Sequence, residues 1–164
     1  MYPQKVKPGQ EMSFIVSKVF IDTNILVYSI DQKDLEKQET ARKYLKNLVD
    51  NHLPVLSTQV VQEFYVVATK KLKADPILVK NIIHNFHNME MVQINLELIE
   101  QAIDISILSQ ISFWDSLIIA AAEKANCGFI ISEDLNEGQF YRGIKLINPF
   151  GEDAGSDGQA FYTG

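Results

Sequence analysis

Residues 19–26 read VFIDTNIL, a short apolar run that is broken by three polar residues before it resumes. The segment 19–21 has the uninterrupted apolar character that is typical of a buried strand. Asp22, Thr23 and Asn24 then place an acid, a hydroxyl and an amide between two segments that both favour the protein core. We interpret the break as a site residue, Asp22, at the end of a buried strand, with two polar neighbours that orient its carboxylate or a bound water.

Short apolar runs alternate with amphipathic helical patterns along most of the chain. We predict strands at Val19–Asp22, Pro54–Thr58, Met91–Ile94, Gly128–Ser132 and Lys145–Ile147. We predict helices at Asn24–Ile30, Leu35–Asp50, Gln59–Leu72, Pro76–His87, Leu96–Leu108 and Trp114–Asn126. Strands that alternate with helices need crossover connections, which make a sheet mainly parallel and cover both of its faces. The sequence therefore predicts an α/β fold, a three-layer α/β/α sandwich with a mainly parallel sheet of about five strands.

The length of 164 residues suits a single folded domain. Residues 14–150 carry the alternating pattern, and we expect them to form that domain. Residues 1–13 lack periodicity and contain two prolines, so we expect an N-terminal extension. Residues 151–164 are rich in glycine and aspartate. We expect these last residues to form a flexible acidic tail rather than to cover the site or an interface.

Composition limits the class of protein. The net charge is −6, with 21 acidic against 15 basic residues, which does not favour passive binding of nucleic acid through neutralised phosphates. An acidic site that recruits metal cations remains open. The single cysteine, Cys127, excludes an internal disulfide, fits a reducing compartment, and is expected to be buried rather than nucleophilic. No apolar run has the length of a membrane span or signal peptide, so we expect a cytoplasmic protein without membrane association.

Four acidic residues fall where predicted strands end and helices begin. Asp22 ends the first strand, and Glu63 lies in the second turn of the helix that follows LPVLST (53–58). Asp115 opens the last helix, and Asp134 follows the strand in CGFIISED. In parallel α/β sheets, ligands bind at this carboxyl edge. The sequence therefore predicts that the fold gathers these four acids, which are far apart along the chain.

Each acid also has a purely structural explanation. Asp22 suits a helix N-cap, and Asp134 suits a turn. Asp115 stands three residues after Ser112, as in a loose capping box. Glu63 is harder to explain in this way, because its helical neighbours are apolar and a carboxylate near a packed face needs compensation.

Mutual repulsion connects the four acids to a cofactor. Two carboxylates ~4 Å apart repel by roughly 4 kcal/mol at an effective dielectric constant of about 20. Oxygen ligands suit hard cations, so the predicted cofactor is Mg²⁺ or Mn²⁺. Such a site favours hydrolysis or transfer at phosphorus, in which the metal polarises phosphate oxygens and activates water.

Four motifs in order, FIDTNIL (20–26), QVVQEF (59–64), FWDSLIIAAA (113–122) and IISEDLNEGQ (130–139), resemble the PIN domain. Within that family the chain is most similar to the VapC-type toxins of bacterial toxin–antitoxin pairs. The resemblance spans about residues 14–148. It implies a parallel α/β/α sandwich and Mg²⁺- or Mn²⁺-dependent endonuclease cleavage of RNA.

The resemblance also implies roles for individual residues. Asp22 and Asp115 would be the principal metal ligands, and Glu63 and Asp134 would complete the acidic pocket directly or through water. Thr23 and Asn24 match the polar positions that organise the first acid, and Ser132 matches a Ser/Thr position before the last. A metal-bound water would attack the phosphodiester in line and leave 5′-phosphate and 3′-hydroxyl ends. The family further implies a homodimer and a cognate antitoxin at the site or its approach groove.

Two other functions remain open on the residues alone. One is phosphoryl transfer through an aspartyl nucleophile, although DTN lacks the second aspartate two residues on that the common aspartyl-phosphatase pattern requires. The other is a PIN-like domain that binds RNA or a protein without cutting. The presence of all four acids weighs against this second alternative.

Several further residues have two interpretations each. His84 and His87 have a spacing compatible with metal binding, but without a third ligand we expect surface histidines. Trp114 is expected to anchor the core rather than to stack on a base. Three lysines at the end of the Glu63 helix suit the helix dipole and are compatible with an RNA backbone: Lys70, Lys71 and Lys73.

Overall fold

The structure is a computed structural model that describes residues 16–135 and 139–151. The predicted extension, 1–13, lies outside the described residues, and so does the predicted acidic tail beyond its first residue. Within the described ranges no single helix is long and apolar enough to cross a membrane. The helices Leu96–Ser109 and Phe113–Lys124, which meet at a bend of 117°, match a span together by length and composition alone.

Among the described residues, six strands form one sheet in the order β3-β2-β1-β4-β6-β5. The strands are β1 (Lys18–Ile21), β2 (Leu53–Ser57), β3 (Glu90–Val92), β4 (Phe129–Ile131), β5 (Phe140–Tyr141) and β6 (Ile144–Ile147). All neighbouring pairs are parallel except β5 and β6. The predicted α/β fold with a mainly parallel sheet is confirmed, with six strands instead of about five.

Six α-helices connect these strands. They are α1 (Thr23–Tyr28), α2 (Leu35–Asn51), α3 (Thr58–Lys70), α4 (Pro76–Asn85), α5 (Leu96–Ser109) and α6 (Phe113–Lys124). Each begins after an Asp, Ser or Asn whose side chain accepts a backbone N–H of the first turn, which satisfies one otherwise unpaired donor. Four of the predicted helices were two residues too long at their ends, namely α1, α3, α4 and α6. After α4 the chain continues as a 3₁₀ turn at Phe86–Asn88.

The strand order explains how the helices cover the sheet. The chain moves from β1 outward to β3 and then returns across β1 to β4. Right-handed crossovers therefore put α1 to α4 on one face and α5 and α6 on the other. The packing agrees, since α1 contacts α2 and α3, α3 contacts α4, and α5 contacts α6. The strand order reverses between β1 and β4, which is where α/β proteins bind ligands.

β1 and β4 end in register at this reversal point. Ile21 is paired with Ile131, and the Asp22 backbone N–H donates to the Ile131 carbonyl at 3.0 Å. Phe20, Ile21 and Ile131 are fully buried, which fixes the register because a slip would expose them. Asp22 and Ser132, the first residues beyond the two strands, are consequently neighbours.

The strand that sequence analysis missed, β5, forms a hairpin with β6 through Arg142 and Gly143. Both turn residues have positive φ, 51° and 82°, as a tight hairpin turn requires. A strand of two residues has no periodicity to detect, so the apolar pattern alone did not predict it.

Gly143→Ala should destabilise the protein by about 1 kcal/mol, because a left-handed φ strains any residue with a Cβ. Space is not the cause, since nothing lies within 4 Å of an added Cβ. Urea unfolding measures the effect. The control is Gly128→Ala, which has equal space and no positive φ, and a loss as large in the control would contradict the explanation.

Candidate active site

Asp22 lies at the carboxyl end of β1 and is the N-cap of α1. It is buried, with 7% of its surface exposed. One carboxylate oxygen, Oδ1, accepts the Thr23 backbone N–H at 2.7 Å, and the other, Oδ2, accepts the Ser132 hydroxyl at 2.6 Å. The capping explanation is therefore correct for Asp22, and its role as a site residue stays a prediction.

Burial raises the pKa of Asp22 from its ordinary value of 3.8 to about 6. The hydrogen bonds from Ser132 and Thr23 oppose this shift by stabilising the charged form, while the nearby Asp134 and Glu63 carboxylates add to it. Asp22, Glu63 and Asp134 thus form an acidic cluster in which Glu63 and Asp134 are both close enough to repel Asp22. A cation at this cluster would relieve both the burial penalty and the repulsion.

Glu63 is half-buried on α3 and is held through both of its oxygens. Oε2 accepts the Thr23 hydroxyl at 2.8 Å, and Oε1 accepts the Gln59 amide Nε2 at 3.0 Å. Thr23 therefore supports two acids, Asp22 through its backbone and Glu63 through its side chain. From its place in the sequence, Thr23 was predicted to orient Asp22 or a bound water. The contact with Glu63 joins residues 40 positions apart, so no local signal indicates it.

Asp134 is exposed and lies in the loop after β4. Its carboxylate Oδ2 accepts Asn24 Nδ2 at 3.0 Å, and Asn24 Oδ1 accepts the Glu133 backbone N–H at 3.3 Å. The Asp134 backbone N–H donates to Ser132 Oγ at 3.2 Å. Asn24 therefore holds the last acid of the set rather than the first, and Ser132 contacts both.

Asp115 lies in the first turn of α6, where its backbone N–H donates to the N-cap hydroxyl of Ser112 at 3.1 Å. One half of the predicted capping box is thus observed, the hydrogen bond from the Asp115 backbone N–H to the Ser112 side chain. Across the part of the chain that the structure describes, no hydrogen bond joins Asp115 to the acidic cluster. The observed link is indirect: Gln59 Nε2, which holds Glu63, also lies 3.4 Å from the carbonyl oxygen of Trp114.

The donor set suits a hard divalent cation, although no complete set of ligands is in place. Within residues 16–135 and 139–151, no group of three or more His, Cys, Asp or Glu side chains is arranged to hold a metal ion. In the same ranges no lysine or arginine forms an ion pair with the four acids. Carboxylate oxygens are nevertheless the ligands that Mg²⁺ prefers in proteins, and a cation would offset the burial of Asp22 and its repulsion by Glu63 and Asp134.

A cleft of about 540 Å³ extends from the cluster between α1 and α3. Its acidic end contains Glu63, Glu133 and Asp134. Its other walls are mainly apolar, and Lys71 from the predicted basic group lies among them. The cleft thus combines charged groups at one end with an apolar surface that suits a bulky ligand.

A second group of contacts holds the loop after β4, and sequence analysis did not identify it. Lys37 on α2 forms an ion pair with Glu133 and donates to the Tyr28 hydroxyl at 3.2 Å. Its ammonium lies 4.5 Å from the centre of the Tyr28 ring and 5.2 Å from that of Phe150. The hydrogen bond with Glu133 is the main cause that raises the pKa of Lys37. Lys37 and Glu133 are 96 residues apart, so no local signal connects them.

Ser132→Ala should raise the pKa of Asp22 above about 6, because the Ser132 hydrogen bond is the largest contribution that lowers it. We expect a loss of about 2 kcal/mol in stability at pH 8 and a smaller loss at pH 5. Carboxyl ¹³C NMR titration of Asp22 and urea unfolding measure the two effects. Ser106→Ala on α5, whose hydroxyl bonds only the Ile103 carbonyl, is the control. An unchanged or lower Asp22 pKa would contradict the assignment.

The structure decides three of the less specific predictions. Trp114 is 62% exposed, so its predicted place in the core is wrong; it follows an apolar residue but points away from the packed side of α6. His84 and His87 are exposed as predicted, with ring centres 5.3 Å apart. Cys127 is buried as predicted, and burial raises its pKa to about 12, which disfavours a nucleophilic thiolate.

Comparison with known proteins identifies the family of the chain. The family model described as the PIN domain matches residues 19–142. No curated protein matches significantly.

Solved structures with a similar fold come from several bacteria. A toxin–antitoxin complex from Klebsiella pneumoniae has a TM-score of 0.60 at 16% identity and covers 80% of this chain and 98% of its own. VapBC2 from Rickettsia felis, bound to a DNA fragment from its promoter, has a TM-score of 0.59 at 20% identity with the same coverage. VapC20 from Mycobacterium tuberculosis, a toxin that cleaves the sarcin–ricin loop, has a TM-score of 0.57 at 17% identity. The match covers 68% of this chain and 86% of VapC20. At these identities the similarity concerns the fold.

Proposed function

The chain belongs to the PIN domain family, and from that premise we propose that it is a metal-dependent endoribonuclease toxin of the VapC type. The observation that carries this proposal is the buried Asp22, whose pKa is raised to about 6 beside two further carboxylates at the carboxyl edge of the sheet. A protein gains no stability from such an arrangement. A divalent cation would make it favourable.

The proposed metal ligands are Asp22 and Asp115, with Glu63 and Asp134 as further ligands, directly or through water. When bound, Mg²⁺ or Mn²⁺ supplies a Lewis acid that polarises the scissile phosphate and acidifies water. The chain's own side chains position the acids: Ser132 holds Asp22, Thr23 holds Glu63, and Asn24 holds Asp134.

In the proposed reaction a water oxygen bonds to phosphorus in line with the departing 3′ oxygen. The P–O3′ bond breaks, the 3′ oxygen takes up a proton, and the products carry 5′-phosphate and 3′-hydroxyl ends. RNA would enter along the cleft, where Lys71 offers a cation to a backbone phosphate. Orientation by fixed side chains would supply the in-line geometry.

The proposal includes partners and a location. We propose that residues 14–150 are the nuclease domain, that two copies form a homodimer, and that a cognate antitoxin inhibits it in the cytoplasm. The apolar walls of the cleft, next to its acidic end, support an occupant with both apolar and basic side chains. The solved VapBC2 and Klebsiella pneumoniae structures, in which toxins are bound to antitoxins, support the same assignment.

RNA cleavage by the purified protein tests this function. A labelled RNA should be cut with Mg²⁺ or Mn²⁺ present, EDTA should stop the reaction, and Asp22→Ala should not cut. One observation favours the alternative of a PIN-like domain that binds without cutting, namely that the described residues contain no complete metal-ligand group. RNA binding without cleavage at saturating Mn²⁺ would support that alternative, and a stable aspartyl-phosphate adduct would support phosphoryl transfer.

A further inference from the structure

We propose that Gln59 is a positioning residue that sets the Glu63 carboxylate relative to the first turn of α6, which carries Asp115. The inference rests on the proposed function, because it concerns how two of the proposed ligands are brought to one ion. Gln59 lies four residues before Glu63 on α3, so the two side chains share one face of that helix.

The amide of Gln59 contacts both sides of the site. Its Nε2 donates to Glu63 Oε1 at 3.0 Å and to the Trp114 carbonyl oxygen at 3.4 Å. Both partners are acceptors, so the NH₂ group must face them and the orientation of the amide is fixed. With 5% of its surface exposed, Gln59 is also held by packing.

The carbonyl oxygen of the Gln59 side chain indicates that this residue does more than stabilise the fold. Gln59 Oε1 is buried and has no hydrogen-bond donor among the described residues. Buried polar atoms are nearly always paired, and exceptions are found at functional positions. A methionine here would fill similar space without a buried acceptor. The retained amide is therefore explained by its two donated hydrogen bonds.

These two hydrogen bonds of Gln59 connect the proposed ligand Glu63 with the helical turn of the proposed ligand Asp115. Glu63 is held on one oxygen by Thr23 and on the other by Gln59, which fixes the plane of its carboxylate. Asp115 is the residue after Trp114, so the bond to the Trp114 carbonyl fixes the helical turn from which Asp115 projects. Through Gln59, the carboxylate of Glu63 on α3 is therefore tied to the turn of α6 that carries Asp115.

Gln59→Met tests the inference. The control is Gln101→Met, the same substitution at a half-buried glutamine on α5. The measurements are Mn²⁺ binding by calorimetry, the kcat and KM for RNA cleavage, and urea unfolding without metal. We expect Mn²⁺ affinity and kcat each to fall 10- to 100-fold, as is typical when a group that orients a metal ligand is lost. The KM for RNA should change less than about 3-fold, and resistance to urea should be equal or greater.

A second variant covers the case in which Gln59→Met does not fold. Gln59→Asn keeps the amide but shortens its reach, so it should lose the same Mn²⁺ affinity and kcat while folding normally. Wild-type affinity and turnover in either folded variant would overturn the inference. Loss of activity only in proportion to loss of folded protein would also overturn it.

The wild-type protein separates this inference from the function on which it rests. If wild type binds Mn²⁺ and cuts RNA, the ratio of variant to wild type decides the role of Gln59 alone. If wild type neither binds Mn²⁺ nor cuts RNA, the proposed function fails first, and the role of Gln59 at a metal site is overturned with it.

Discussion

Asp22→Asn should abolish RNA cleavage and at the same time stabilise the metal-free protein. Loss of a principal metal ligand removes several kcal/mol of transition-state stabilisation, so we expect turnover to fall at least about 1,000-fold. The fold should be unaffected. Asparagine is an equally good N-cap; its oxygen accepts the Thr23 N–H, and its amide donates to the Ser132 hydroxyl.

The gain in stability follows from the raised pKa of Asp22. Folding moves that pKa from 3.8 to about 6, so between these values the folded state binds more protons than the unfolded state. The contribution of Asp22 to stability therefore falls as pH rises through this window and stays unfavourable above it. The difference corresponds to about 3 kcal/mol at 1.36 kcal/mol per pKa unit.

Urea unfolding in EDTA at pH 4 and pH 8 measures this effect. Asp22→Asn should be more stable than wild type by up to about 3 kcal/mol at pH 8, with the difference nearly absent at pH 4. Asp104→Asn, an exposed acid on α5, should show neither change. If Asp22→Asn were the less stable protein at pH 8, the charged form of Asp22 would be favourable in the fold and the need for a cation would be refuted.

Asp115→Asn should reduce cleavage about 100-fold or more and leave stability within about 0.5 kcal/mol. The structure gives Asp115 a small structural role, as an acid in the first turn of α6 that suits the helix dipole. Its larger role is proposed to appear when the ion is bound. Cleavage rates and urea unfolding of the same preparation measure the two roles separately.

Glu97→Gln is the matched control for Asp115, because it removes an acid from the first turn of α5 in the same way. The control should change stability as little as Asp115→Asn does and should leave cleavage unaltered. Normal cleavage by Asp115→Asn would restrict Asp115 to its dipole role. The metal site would then have to be built from the acidic cluster alone.

The sequence predicted the fold well where burial is complete. Residues 19–21 and 130–131 are continuous apolar runs, fully buried in the structure, as is typical of central parallel strands. Their position next to Asp22 and Asp134 indicated the candidate site. The hairpin strand at Phe140–Tyr141 was missed because it is two residues long and its turn includes Arg142 in a left-handed conformation, for which arginine gives no local signal.

The contacts that hold the acids were less predictable than the acids themselves. Strand ends indicate where carboxylates fall, but the partner of each one depends on packing between elements. Thr23 was assigned to its sequence neighbour Asp22, and its hydroxyl instead reaches Glu63. The error for Trp114 has a similar cause, since whether an aromatic residue in the first turn of α6 is buried depends on packing, and the structure leaves it 62% exposed.

A crystal structure of the protein with Mn²⁺, using anomalous scattering to locate the ion, tests the central claim most directly. We predict an ion bound to Asp22 at about 2.1 Å, as for hard divalent cations of this size, with at least one further oxygen from Glu63, Asp115 or Asp134. At saturating Mn²⁺, an anomalous map without an ion at Asp22, or with the ion on an unrelated surface, would contradict the account.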